Sequence, residues 1–164
     1  MASSSDSPSN PWYTGSCHCK HITYRVQLNL TTPNPSTGAI LTKCNCSICH
    51  KTGMVLASPQ PDSSLTILTP ADGKEGITFY RFGKRGVGHN FCSRCGVRCF
   101  FSGEYDLGED KGGVVRFTRV NALTLDGRED GEEMEDLRGI KLAYYGFKDE
   151  VFASGKEPFK GGIW

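Results

Sequence analysis

Residues 22–30 read ITYRVQLNL, with Ile22, Tyr24, Val26, Leu28 and Leu30 on one side of an extended chain and Thr23, Arg25, Gln27 and Asn29 on the other. Side chains of a strand alternate faces with period two, so the segment predicts a half-buried strand; helical winding would scatter the same apolar residues around the axis. Working back, residues 12–16 (WYTGS) are expected to pair with it antiparallel, with Cys17, His18 and Cys19 at the bend. Working forward, residues 31–38 (TTPNPSTG) read as a loop. Further short strands are predicted at about 39–43, 54–57, 65–68, 77–82, 88–91, 97–102 and 114–120, separated by Gly, Pro, Asp and Ser clusters. Only 47–51 and 132–137 have the makings of a helical turn. GKRGVG at 83–88 fits a hairpin turn better than a phosphate loop.

Composition agrees with a mainly β chain. Twenty glycines and eight prolines imply frequent turns, and nine Phe, six Tyr and two Trp supply apolar bulk for a core. The length of 164 residues predicts one domain, residues 12–164, behind a disordered tail at residues 1–11. Nineteen Lys and Arg against 18 Asp and Glu leave no electrostatic footprint for nucleic acid or an anionic membrane. The start MASSSDSPSNP lacks the basic and apolar regions of a signal peptide, and no apolar run reaches the ~18 residues of a membrane span. A cytoplasmic protein is expected. The acidic run near 128–136 reads as a solvated loop. The last aromatic residues, through Trp164, either pack back on the sheet or become ordered in an oligomer such as a homodimer.

Eight cysteines in a reducing compartment call for metal rather than disulfides. Cys92-Ser93-Arg94-Cys95-Gly96 has the form of a zinc knuckle, in which the turn aims two thiolates at one ion and glycine permits positive φ. Cys17 and Cys19 are candidates for the other half of a closed four-sulfur structural site. Cys44, Cys46 and Cys49 form a compact trio, one ligand short of closure. Three protein ligands and an exchangeable fourth position describe a catalytic zinc site, with water or a substrate sulfur in the open place. Closure by Cys99 or a histidine, or a trio of buried thiols without metal, are the alternatives. Cys99 itself, in VRCFFS, reads as a small core residue. All four histidines lie near cysteines, and His50, directly after Cys49, is the candidate general acid/base because its ordinary pKa lies near neutrality.

Taken together, GSCHCKHITYRV, CNCSICHKTG and HNFCSRCGVRCFF resemble, in order and spacing, the glutathione-dependent formaldehyde-activating family, also called the Gfa or CENP-V domain family. The resemblance runs from about Gly15 to Leu125. It implies a tent-like fold of antiparallel sheets with two zinc ions per chain: a structural one on Cys17, Cys19, Cys92 and Cys95, and a catalytic one on Cys44, Cys46 and Cys49. It also implies a carbon–sulfur lyase that joins formaldehyde to glutathione, so the expected partner is a small molecule, glutathione or a thiol adduct. The same fold serves a Rab-binding chaperone and a chromosome protein as an interaction module, which is the alternative function. A zinc enzyme adapted to dehydration, hydrolysis or isomerisation of a sulfur-free metabolite is another. Asn45 stands where the family more usually has His, and Cys99 where an aliphatic residue is expected; neither departure removes a ligand.

Overall fold

Trp12–Ser16 (β1) and Thr23–Gln27 (β2) form the expected antiparallel hairpin, in register from Trp12 opposite Gln27 to Ser16 opposite Thr23. The computed structural model describes residues 10–35, 37–83, 86–106, 108–146 and 154–155, so most of the predicted tail, the tip of GKRGVG and the aromatic C-terminus lie outside the described residues. Pro11 already engages the sheet, its carbonyl accepting from Leu28 N–H at 3.2 Å, and Asn10 carbonyl accepts from Gln27 Nε2 at 3.1 Å.

Alternation decides which face of the hairpin is covered. Tyr13, Tyr24, Val26 and Leu28 are buried while Thr23, Arg25 and Gln27 stay half-buried. Burying a large apolar side chain contributes about 1.5–3 kcal/mol, so a one-residue slip, which would reverse the faces, is strongly disfavoured. Thr66–Thr69 (β5) pairs with β2, and Leu125–Arg128 (β10) with β1, giving a four-stranded antiparallel sheet in the order β10-β1-β2-β5. Gly15 permits a close crossing here: a Cβ would overlap the Tyr24 ring and stand 2.7 Å from the Thr124 carbonyl. The Tyr24 hydroxyl crosses that gap to Thr124 Oγ1 at 2.8 Å.

The second sheet has eight strands: Leu41–Cys44 (β3), Leu56–Ala57 (β4), Ile77–Tyr80 (β6), Val87–Cys92 (β7), Phe100–Asp106 (β8), Val114–Asn121 (β9), Leu142–Tyr145 (β11) and Ser154–Gly155 (β12). Their order is β12-β11-β3-β4-β9-β8-β7-β6, antiparallel except for the parallel pair β11 and β3. The main core gathers Tyr24, Val26, Leu41, Cys99, Phe100 and Val120, among others; a smaller cluster gathers Cys44, Cys49, Met54, Leu56 and Phe101. The chain is mainly β, as its alternation and turn content imply. Ser47–Lys51 (α1) is its single α-helix among the described residues. None of the described helices is long and apolar enough to cross a membrane.

Two local expectations shift. The strand anticipated at 97–102 begins at Phe100, because residues before it close the knuckle: Gly96 N–H donates to Cys92 carbonyl and Cys92 N–H to Val97 carbonyl. The helical turn anticipated at 132–137 is replaced by a 3-10 turn at Leu137–Gly139, where Asp136 caps by accepting from Arg138 N–H at 3.0 Å. Acidic residues clustered upstream repel one another, whereas a single aspartate at the cap satisfies a free N–H.

Candidate metal centres and the cavity they face

Two turns build the first centre. After β1, Cys17 N–H donates to Ile22 carbonyl and Lys20 N–H to Cys17 carbonyl, with Lys20 at φ +57°. After β7, Gly96 takes φ +73° in the equivalent place. These turns bring Cys17, Cys19, Cys92 and Cys95 together with every Sγ within 4.8 Å of the others. A tetrahedron with zinc–sulfur bonds of about 2.3 Å has edges of about 3.8 Å. The Cys17–Cys19 and Cys19–Cys92 sulfur distances, 3.6 Å each, fit that figure. Ile22 N–H donates to Cys17 Sγ at 3.2 Å. Burial outweighs that bond and pushes the Cys17 thiol up to about 12. Burial also opposes ionisation of Cys95, yet backbone N–H groups of Cys19 and Val97 and the neighbouring sulfurs hold it down to about 6.

Cys44 ends β3, Cys46 precedes α1, and Cys49 lies in its buried face, so the strand end and first turn curl the three sulfurs to within 4.8 Å of one another. Cys46 N–H donates to Cys44 Sγ at 3.4 Å. Hydrogen bonds from Cys44 and Cys49, and more weakly the charge of Arg98, hold Cys46 well below the ordinary thiol range; hydrogen bonds with Cys46 and Cys49, then burial, push Cys44 far up. A trio that already favours one thiolate must release further protons to bind a metal as three thiolates.

Among the described residues no fourth histidine, cysteine or carboxylate joins the trio. Cys99 is buried in the main core instead, and the trio belongs to the smaller cluster. The three sulfurs line a cavity of about 530 Å³ whose walls include Phe82, His89, Phe101, Phe117, Arg119 and Tyr145. Polar residues on its rim, Thr32, Asn34 and Thr37, come from the TTPNPSTG loop. His50 is exposed on α1 and is not among the residues lining this cavity, whereas His89, read only as one of four nearby histidines, does line it. His18 is exposed, and His21 Nε2 lies 3.1 Å from Glu75 carbonyl.

Sequence reasoning missed Arg98. Its guanidinium is buried, contacts His89 Nδ1, and stands 3.4 Å from Thr52 Oγ1, 3.9 Å from Cys49 Sγ and 4.6 Å over the Phe101 ring. A charge inside the apolar run VRCFF was the available signal, since buried arginines require partners. Burial first, then the Arg98 charge, pushes His89 down to about 4, leaving its ring neutral near pH 7. Arg119, also missed, lies over the Phe117 ring and 3.7 Å from Asp62.

A family model described as glutathione-dependent formaldehyde-activating enzyme matches residues 12–130. The chain belongs to this family. The matched region holds all eight cysteines, hence both sulfur centres. A crystal structure of a Rhodobacter sphaeroides protein shares the fold with a TM-score of 0.51 at 26% identity, over 79% of this chain and 98% of that one. Beyond the residues matched by the family model, β11 pairs with β3 and carries Tyr145 into the cavity wall.

Proposed function

We propose that the protein is a zinc-dependent carbon–sulfur lyase that joins a small aldehyde to a thiol of the glutathione class, or separates them. One observation carries this reading: three convergent sulfurs with no fourth protein ligand among the described residues open onto a cavity large enough for a tripeptide thiol. Zinc bound by Cys44, Cys46 and Cys49 would supply an exchangeable position that takes the substrate sulfur as thiolate and lowers its pKa. Zinc on Cys17, Cys19, Cys92 and Cys95 would be structural, tying the β1–β2 turn to the end of β7.

The chain's own groups do the rest. Phe101, Phe117 and Tyr105 wall the cavity, with Tyr105 stacked on Phe117 at 5.1 Å and Phe101 edge-on to it at 6.1 Å. Such walls give the reacting carbon a largely apolar surround. Arg119 offers a cation to a substrate carboxylate, and the loop rim offers hydroxyls and amides. Eight thiols without a disulfide suit the reducing cytoplasm.

The test is exchange of 13C-formaldehyde with glutathione followed by NMR, with zinc counted per chain. Two zinc ions, one lost in Cys44, Cys46 or Cys49 serine variants together with exchange, is the expected result; an intact second zinc without exchange would refute the lyase. The aromatic walls favour a second reading, a carbonyl metabolite larger than formaldehyde and lacking sulfur, which would turn over without glutathione. A pure interaction module would show neither reaction.

A further inference from the structure

His89 lies in β7 and Arg98 in the connection leading to β8, so the knuckle between them turns the chain back and sets the two side chains face to face. Both are buried. Arg98 is braced on several sides: Nη1 toward Thr52 Oγ1 and Cys49 Sγ, Nη2 on His89 Nδ1, the guanidinium plane over Phe101, and its backbone carbonyl accepting from Asn121 Nδ2 at 3.2 Å. Asn121 Oδ1 in turn accepts from Val55 N–H at 3.3 Å, which anchors the brace to the main core.

A guanidinium has donors only, so His89 Nδ1 must be the acceptor. A neutral imidazole with an accepting Nδ1 carries its proton on Nε2, and the cation behind it polarises that N–H. The ring has little freedom to turn away. It is stacked on Phe82 with centroids 5.2 Å apart and an interplanar angle of 13°, and is tilted against Phe101 at 5.6 Å. His89 and the three sulfurs line the same cavity, so a fixed neutral donor shares the space where a substrate sulfur would sit.

We propose that His89, held in the Nε2–H form by Arg98, donates a hydrogen bond to the carbonyl oxygen of the substrate, with Arg98 as the positioning residue. The inference rests on the lyase reading. As the carbon–sulfur bond forms from a sulfur electron pair, the C=O π pair moves onto oxygen; the His89 N–H stabilises that oxygen, and cavity water supplies the proton that completes the hydroxyl. The thiol proton has left to water beforehand, so His89 keeps its own proton throughout. In the reverse direction water removes the hydroxyl proton, the oxygen lone pair reforms C=O, and the bond pair returns to sulfur. A preorganised donor aimed at a developing oxyanion accelerates reactions by about 10²–10³.

Long-range 1H–15N correlation spectra of the zinc-loaded, 15N-histidine-labelled protein read the tautomer directly. The expected result is Nε2–H at His89, retained in Arg98→Lys and mixed with Nδ1–H in Arg98→Met. In kinetics, His89→Phe keeps the aromatic stacking but removes the donor; it should lower kcat about a hundredfold while KM and zinc content hold. Arg98→Met should lower kcat more than KM, with Arg98→Lys regaining part of it. An Nδ1–H tautomer in the wild type, a His89→Phe rate within a few-fold of wild type, or a loss confined to His50→Gln overturns the proposal while leaving the lyase standing. If the wild type is inert, the lyase reading falls; then glyoxylate, as a small carbonyl probe, must still shift the Nε2–H resonance, and no shift overturns this inference too.

Discussion

Serine at Cys92 and serine at Cys46 should have opposite consequences, although each removes one sulfur. Cys92 is fully buried, and its Sγ lies 3.6 Å from that of Cys19, 73 residues earlier, where it helps bridge two turns that belong to different sheets. Structural zinc sites contribute on the order of 10–16 kcal/mol of apparent binding energy that is also folding energy. Whole-domain stability is only about 5–15 kcal/mol, so losing a zinc ion bound there would remove an amount comparable to the total. A serine hydroxyl left unpartnered at a buried position costs a further ~1–3 kcal/mol. Cys92→Ser is therefore expected to give no cooperative melting transition and mostly insoluble protein. Cys46 is half-buried and lines the cavity, and its loss leaves β3 paired with β11 and β4 and the first turn of α1 closed by His50 N–H on the residue-46 carbonyl. For it, a loss of about 1–2 kcal/mol corresponds to a Tm lower by about 2–8 °C in a chain this size, with one zinc retained and activity gone. Calorimetry and zinc content on both variants decide the matter. A cooperative Cys92→Ser transition within a few degrees of wild type, or equal collapse of both variants, would refute the division into a structural and an open centre.

Glycine substitutions should separate crowding from backbone strain. Gly15→Ala drives a Cβ into Tyr24 and toward Thr124 carbonyl, and overpacking of this kind costs ~1–3 kcal/mol or more, whereas Gly96→Ala meets open space and carries only the ~1–2 kcal/mol of a left-handed residue; a smaller melting shift for Gly15→Ala would contradict this. The depressed pKa of His89, about 4, means that the unfolded chain takes a proton near pH 6.5 that the fold refuses. Stability should therefore be fully present above about pH 6.5 and fall by up to roughly 3 kcal/mol as pH drops toward 4, a slope that His89→Phe should flatten in urea titrations. Arg119→Met should raise KM for glutathione about tenfold or more with kcat little changed, since a charge-assisted bond contributes about 1.5–3 kcal/mol; an unchanged KM places the substrate carboxylates elsewhere.

Much of the fold was legible because the signals were local. Alternation through residues 22–30 reports which side of a strand meets the core, and the hairpin formed as that pattern requires. The strands β10, β11 and β12 were not anticipated, since they lie in a stretch where acidic, glycine and aromatic residues mix without alternation, and they exist through their pairing with β1, β3 and each other. The sulfur centres were legible for a related reason. Metal ligands at two-residue spacing are a local geometric device, and Cys44, Cys46 and Cys49 stand together for that reason.

The sequence by itself determined the mainly β class, the two groups of cysteines that could hold metal and the family to which they point. Only the tertiary structure decided which residues attend the open trio. Arg98 and Cys99 are neighbours in the chain, yet Cys99 joins the main core while Arg98 reaches Cys49 and His89. His50, next to Cys49 in sequence, is carried on α1 into solvent, and His89, forty residues from Cys49, lines the cavity. Adjacency along a chain fixes distance only over a turn or so. A buried cation, its neutral acceptor and the sulfurs beside them come from three separate segments, and the packing that assembles them leaves no periodic trace in any one.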